Sequence, residues 1–444
     1  MRPSKRLLFI VTLWGMIGFG VALSQWFRAT QGNYEQWVEI WWIGSIAITV
    51  ISLIDWLGYL KPSQMTITRQ VSDSLSLGSW SQVGLNISHD FMRPTAITIA
   101  DHPPHHCTVS ESEWHTKLEP NQGTSTHYKI QPNQRGDLIF RGVDVLYPSS
   151  LGLWEFRRFK KITSTVKVFP NYAAMKQFSM FTLSQRSNQM GIRLKQKRGE
   201  GLEFHQLREF RQGDSLRQIN WNSSAKFRKL ISKDYQEETD QEIVFLLDCG
   251  RKMRSQDGDL SHFDHALNGM LLMAYVALKQ GDAIGCLSFS GTQRWQPPIK
   301  SIGNMPKLLN HVYDLEASTQ ASDYLTAAEN ILTRQKKRAL MVLITNLRDE
   351  NIDDLLPALR LLQKKHLVMV ASLEETFAHE VTKEEVGNFE DALAYLGTMD
   401  YLDRRNWLTR QLNKQGVISV NCLPRDLAGA LVNKYLEVKK EGLL

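Results

Sequence analysis

From Leu7 to Phe27 the chain runs 21 residues without a charge, LLFIVTLWGMIGFGVALSQWF. A bilayer core about 30 Å thick takes about 20 apolar residues as a helix, so this run is long enough to span one. A second run, Trp37 to Leu60, carries only Glu39 and Asp55, each close enough to an end to reach the headgroup region. Trp37, Trp41, Trp42, Trp56 and Tyr59 gather near its ends, as interfacial aromatics do. Nine residues separate the two runs, which permits only a tight hairpin.

Arg2, Lys5 and Arg6 precede the first run, and Lys61 and Arg69 follow the second, whereas the connection holds Arg28 against Glu35 and Glu39. The positive-inside rule then predicts that both termini are cytoplasmic. A cleaved signal peptide ending near Ala22–Ser24 is the rival reading, and the immediate second span argues against it.

With 444 residues, the chain exceeds the roughly 250–300 that a single core fills, so several domains are expected. Cys107, Cys249, Cys286 and Cys422 show no C-x-x-C spacing, which points to free thiols in a reducing compartment. His102, His105, His106 and Cys107 cluster in DHPPHHC, but two prolines make this a turn, and a polar loop is expected rather than a metal site.

From about residue 62 to 170, short alternating runs such as QMTITRQV, TAITIA and STVKVFP are separated by Gly, Pro, Asn and Asp. Strands of this length and spacing predict an antiparallel β-sandwich. Between Glu155 and Tyr235 there are 18 Lys+Arg and 6 Asp+Glu, a net +12; since the whole chain is +7, the remainder is −5. Attraction to anionic headgroups, an acidic protein partner or a plain solvated face all fit this stretch. No aromatic-interleaved motif accompanies the charge, which argues against nucleic acid.

From 239 to 444 the pattern changes again. EIVFLLD at 242–248 reads as a buried parallel strand ending in Asp248. Strands at 283–290, 339–345, 366–372 and 417–420 alternate with helical patterns at 261–279, 322–334, 352–362, much of 382–414, and 425–439. Such alternation specifies a doubly wound α/β sheet, whose site lies at the carboxyl ends of the strands. Those ends carry Asp248, Gly250, Lys252, Thr345 and Asn346.

The segment RGEGLEFHQLREFRQGDSLRQINWNSSAKFRKLISKDYQEE (Arg198–Glu238) resembles the signature of the family called domain of unknown function 58. The matching residues are Arg198, Gly199, Gly201, Glu203, Phe204, Arg208, Gly213, Asp214, Arg217, Ile219, Trp221 and Ala225. Gly213-Asp214 reads as a turn, Asp214 and Arg217 are spaced for a local ion pair, and Phe204 and Trp221 are expected to anchor the 171–238 segment as a brace on the α/β body. The family consists of membrane-anchored bacterial proteins with a von Willebrand factor A-like domain, typically encoded beside a MoxR-type AAA+ ATPase. The resemblance therefore implies an inner-membrane adaptor or chaperone-like partner of that ATPase, and of other envelope proteins. Its contact surface is expected around Asp248, Gly250, Lys252 and Asn346.

Domains of the von Willebrand type often hold Mg²⁺ through D-x-S-x-S, a Thr and a further Asp. Here the matching positions hold Asp248, Gly250 and Lys252, with Asn346 in place of the later Asp. Gly250 offers no oxygen and Lys252 brings a positive charge, so no metal is expected. The chain lacks G-x-x-x-x-G-K-[ST], H-E-x-x-H and G-x-S-x-G. A non-enzymatic role is the expectation; a membrane hydrolase using Asp248 and an anionic-lipid-binding structural protein are the alternatives.

Overall fold

In the computed structural model, the described residues are 1–26, 34–57, 65–89, 93–120, 122–171, 203–210, 216, 219–236, 240–348, 352–383 and 385–444. The chain divides into two compact units, Met1–Val168 and Phe169–Leu444.

The first unit holds two helices long and apolar enough to cross a membrane, α1 (Lys5–Trp26) and α2 (Tyr34–Leu57). They pack through reciprocal Trp-on-Gly contacts. The Trp14 ring lies where a Cβ on Gly44 would stand, 2.2 Å away, and the Trp41 ring does the same at Gly18, 2.5 Å away. Trp14 Nε1 donates to Ser45 Oγ at 2.9 Å, and Trp41 Nε1 to the Trp14 carbonyl at 3.3 Å. Trp41, read from its position as an interfacial aromatic, is thus a packing residue of the hairpin.

Ten strands complete this unit: β1 (Arg2–Pro3), β2 (Met65–Gln70), β3 (Ser74–Ser76), β4 (Ser81–His89), β5 (Thr95–Asp101), β6 (Cys107–Val109), β7 (Glu113–Leu118), β8 (Thr124–Pro132), β9 (Gly136–Pro148) and β10 (Trp154–Phe169). They form two sheets, β1-β10-β9-β5-β7 with β3 on β10, and β2-β4-β8-β6; along both of these strand orders the pairings run antiparallel. Alternate residues such as Val83, Leu85, Ile97, Ile99, Phe140 and Val168 are buried, as period-2 patterning requires.

Arg69 on β2 and Asp101 on β5 form a buried pair that links the sheets, Nη2 to Oδ1 at 2.6 Å and Nε to Oδ2 at 3.2 Å. The guanidinium stands 4.7 Å from the centre of the Phe140 ring. Arg69 therefore belongs to the core and not to the membrane flank, where charge counting had placed it. His102 bonds Asp144 at 2.7 Å through Nε2, away from Cys107.

The hairpin grips this β-structure directly. Asp55, in the last turn of α2, is buried and accepts from Ser149 Oγ, Leu151 N (2.9 Å) and Leu153 N (3.2 Å). Ser4 N donates to the Leu153 carbonyl at 2.9 Å, and Arg2–Pro3 pair with Glu155 and Trp154. Asp55 is thus a structural acceptor rather than a headgroup-level charge, because the 149–153 turn brings it donors.

The second unit centres on six strands: β13 (Glu242–Asp248), β16 (Ala283–Phe289), β17 (Arg294–Ile299), β18 (Leu340–Thr345), β19 (Leu367–Leu373) and β20 (Ile418–Cys422), in the order β17-β16-β13-β18-β19-β20. Only the edge strand β17 runs antiparallel. Its sequence RWQPPI contains two prolines, which hide a strand from pattern reading and which an edge tolerates. Before the sheet, β11 (Glu203–Glu209) and β12 (Ile231–Gln236) pair, with α3 (Trp221–Phe227) between them; β14 (Gln256–Asp257) and β15 (Leu260–Ser261) make a small hairpin.

The remaining helices are α4 (His262–Lys279), α5 (Met305–Val312), α6 (Tyr324–Arg334), α7 (Ile352–Gln363), α8 (Thr376–Val381), α9 (Phe389–Lys414) and α10 (Leu427–Lys440). Alternate residues of β13 face opposite cores. Ile243, Phe245 and Leu247 join α4, α5 and α10, and Val244 and Leu246 join α6, α7 and α9. The last helix is pinned where Tyr435 OH (2.5 Å) and Lys439 Nζ (2.8 Å) meet the buried Asp282 carboxylate. All four cysteines are free thiols, and Cys249 and Cys286 are buried.

Candidate functional site

The central strand β13 has β16 on one side and β18 on the other, so the chain reverses its winding direction between β13 and β18. A doubly wound sheet opens its crevice there, at the strands' carboxyl ends. Asp248 ends β13 and Thr345 ends β18, side by side.

Asp248 is fully buried and accepts from Thr345 Oγ1 (2.7 Å), Ser322 Oγ (2.7 and 2.8 Å to its two oxygens), Gly250 N (2.8 Å) and Tyr324 OH (3.3 Å). Burial pushes its carboxyl above the usual range and outweighs the donors, led by Thr345 and Ser322, that favour the anion. Burial, reinforced by the Asp248 charge, raises Tyr324 and keeps it a phenol. A loop crosses the end of β13 to build this lid. Ser318 N donates to the Cys249 carbonyl at 2.6 Å and Arg251 N to the Gln320 carbonyl at 2.8 Å.

A Cβ on Gly250 would stand 2.4 Å from Ser322 Oγ and 2.9 Å from Asp248 Oδ1. Serine at that position is therefore excluded while Ser322 holds the carboxylate. The donor set does not fit a divalent cation, because hydroxyl and amide donors already occupy the carboxylate and Lys252, 3% exposed, is packed beside the same turn. Among the described residues, no three His, Cys, Asp or Glu side chains stand together as a metal group.

The second cluster starts at Asn346, also fully buried. Its Nδ2 stands 3.3 Å from Glu375 Oε1 and 3.3 Å from His262 Nδ1, and its Oδ1 accepts from Arg405 at 3.3 Å. Arg405, projecting from α9, also donates to the carbonyls of Leu347 (3.0 Å) and Leu373 (2.6 Å), to Ser372 Oγ (2.5 Å) and to Asn421 Oδ1 (2.8 Å). It ties together the carboxyl ends of β18, β19 and β20. The Glu374 carboxylate lies 3.9 Å from Arg405 Nε.

Burial works to raise Glu375, but the charge and hydrogen bond of Arg348, with help from Asn346 and Tyr401, hold it below the usual range. Burial pulls His262 down to about 4, so it is neutral near pH 7. Position 405 falls inside a helical run, and only its charge on an otherwise inward-facing position hinted at a role.

The four expected contact residues come together at the strand ends, but none reaches the surface. Asp248 and Asn346 are fully buried, Lys252 is 3% exposed, and Gly250 is sealed under Ser322. The 318–322 loop and the Arg405–Glu375 network cover them, a closure that strand positions alone do not reveal. Of the signature residues, Ile219 is buried and bridges Ser232, Arg208 is half-buried, and Ala225 is exposed. Trp221 is 67% exposed at the start of α3, so it does not anchor the segment; Ile219 and Ser224 turn inward instead. Glu203 and Phe204 lie in β11. Arg198, Gly199, Gly201, Gly213, Asp214 and Arg217, with the turn and ion pair read there, lie outside the described residues.

The family described as "Protein of unknown function DUF58" matches residues 206–401. Residues 206–401 are a DUF58 region. The match spans β11 through the first half of α9, so it takes in both strand-end clusters except Arg405 and Asn421. No curated protein matches.

Several solved structures are similar to about a quarter of this chain. α2-Macroglobulin from Escherichia coli, from domain MG7 to the C-terminus, is 15% identical over 24% of this chain and 16% of that one, with a TM-score of 0.21. The CARDB domain of a Pyrococcus furiosus protein is 11% identical over 24% of this chain and 93% of its own, with a TM-score of 0.18. A Clostridium perfringens cohesin module is 12% identical over 24% of this chain and 98% of its own, with a TM-score of 0.18.

Proposed function

We propose that this protein is a non-enzymatic, inner-membrane partner of a cytoplasmic MoxR-type AAA+ ATPase, acting through a metal-free von Willebrand factor A-like domain. The observation that carries this reading is the closed state of the strand-end site. Asp248 is the strand-end carboxylate a hydrolase would use, and it is fully buried with its oxygens engaged by four neighbours. A sheet that closes its crevice in this way keeps its surface loops and helices for binding.

The membrane assignment draws on the same geometry. Arg2–Pro3 at the start of the hairpin and Asp55 at its end both bind the 149–155 turn, so the two hairpin ends and the β-structure share one side. With Arg2, Lys5 and Arg6 at that end, the positive-inside rule assigns that side to the cytoplasm.

The test is binding of the detergent-solubilised full chain to the purified ATPase, with and without EDTA. Binding that EDTA leaves unchanged is expected. Loss of the complex in EDTA, restored by Mg²⁺, overturns the metal-free version, and absence of binding overturns the partnership.

A further inference from the structure

The outward face of the first unit's larger sheet carries a trough of about 500 Å³, within the range of small-molecule sites. Strand register explains its shape. Arg157, Leu146, Thr98 and His115 stand in one row across β10, β9, β5 and β7, and Asp144, Ala100 and Glu113 stand in the next. Thr98 and Ala100 alternate with the buried Ile97 and Ile99, and with Leu146 they make a low floor. Arg157 walls one side, and His115 and Glu113 the other.

Asp144 organises the trough. It is 3% exposed and pairs with Arg157 Nη2 and, at 2.7 Å, with His102 Nε2. The Arg157 hydrogen bond, with help from His102, holds its carboxyl below the usual range although burial works to raise it. A fixed anion at the floor thus positions a guanidinium and an imidazole side by side. His115 Nδ1 is likewise fixed, 2.8 Å from Thr98 Oγ1. Among the described residues, Arg157 Nε and Nη1, His102 Nδ1 and His115 Nε2 have no hydrogen-bond partner.

The trough carries both signs of charge. Glu155 is answered by Arg2 Nε at 2.6 Å. Glu113 has no hydrogen-bonded partner among the described residues, and its charge reaches Arg157. It stands two strands from Asp144, about 10 Å at the backbone. A divalent cation does not fit, because a guanidinium already occupies Asp144. A purely anionic ligand meets Glu113, and a purely cationic one meets Arg157. A small zwitterion answers both. Arg2 closes one end of the trough, three residues before α1 begins at Lys5, so that end adjoins the start of the first span.

We propose that this trough binds a phosphoethanolamine group, its phosphate at Arg157 and His102 and its ammonium at Glu113. A guanidinium beside an imidazole suits a phosphate, and a two-carbon linker then carries the ammonium across the floor toward the unanswered carboxylate. Two kinds of molecule present this group, the head of phosphatidylethanolamine and free phosphoethanolamine. The position beside the first span favours the lipid. The site lies in the first unit and is independent of the ATPase reading.

The test is calorimetric titration of the full chain in detergent with three probes: dihexanoyl-phosphatidylethanolamine, free phosphoethanolamine, and dihexanoyl-phosphatidylglycerol, which lacks the ammonium. Saturable binding of the ethanolamine lipid, about tenfold tighter than the glycerol lipid, is expected. Glu113→Gln should remove that preference while the melting temperature stays put, since the side chain is exposed. Arg157→Gln should weaken both lipids about fivefold or more. Free phosphoethanolamine that binds as tightly as the lipid supports the site with a soluble ligand; binding about tenfold weaker supports the lipid. Equal binding of the two lipids overturns the proposal, as does no saturable binding of either ethanolamine probe. Full binding and preference retained in both variants also overturns it.

Discussion

Among the described residues, Arg69 and Arg405 both bury their side chains, and their surroundings differ. Arg69 meets a whole carboxylate, Asp101, with two hydrogen bonds between side chains 0% and 1% exposed, and lends a third to the Ile162 carbonyl at 2.8 Å. Arg405 meets two carbonyls, two hydroxyls and two amide oxygens, and the Glu374 carboxylate is 3.9 Å away. The first is a staple between two sheets. The second is a hub that senses three strand ends. A buried charge with its own counter-ion reports on stability; one answered chiefly by neutral dipoles reports on how parts are coupled.

Arg69→Met gives the largest expected loss. It leaves Asp101 buried with Tyr128 OH (2.5 Å) and no cation, a cost of about 3–5 kcal/mol in unfolding measurements. Arg405→Met should cost less, about 2–3 kcal/mol, because its acceptors are neutral. Arg405→Lys should recover under half of that, since an ammonium lacks the fork that reaches three strands. Equal losses at the two positions would erase the distinction drawn between them.

Asp248→Ala removes the acceptor for Thr345 and Ser322 and should cost about 1–3 kcal/mol. The pH dependence has a definite sign. The folded carboxyl is raised above 3.8, so the stability it contributes is present below that value and lost as pH rises through the folded value. Asp248→Asn should therefore lose less stability at pH 8 than at pH 4, and the reverse order would contradict a raised carboxyl.

His262 works the other way. Its folded value is depressed from 6.5 to about 4, so its contribution is present above 6.5 and is lost as pH falls toward 4. His262→Gln should flatten the stability curve across that window, read from melting temperatures at several pH values. The smallest effect is expected for Trp221→Ala, within about 0.5 kcal/mol because the ring is 67% exposed. A large loss there would restore its role as an anchor.

Much of the architecture was legible beforehand. The hairpin shows in charge-free runs, the β-rich region in period-2 patterning, and the parallel core in continuous apolar strands such as EIVFLLD. The edge strand β17 was not, because Pro297 and Pro298 mask it. Asp248 was legible as a strand-end carboxylate, but its closure by Ser322 and Tyr324, 74 and 76 residues away, was not. Arg69 and Asp55 misled in the same manner: each reads as a membrane-flanking charge until partners 32 and more than 90 residues distant are seen to enclose it.

Local period and charge are properties of neighbouring residues, so the sequence by itself determined the hairpin, the order of most strands and helices, and Asp248 as a strand-end carboxylate. Burial and pairing depend on residues that only the folded chain brings together. The tertiary structure therefore decided that the strand-end residues are sealed, that Arg405 binds three strands, and that Asp144 draws Arg157 and His102 together.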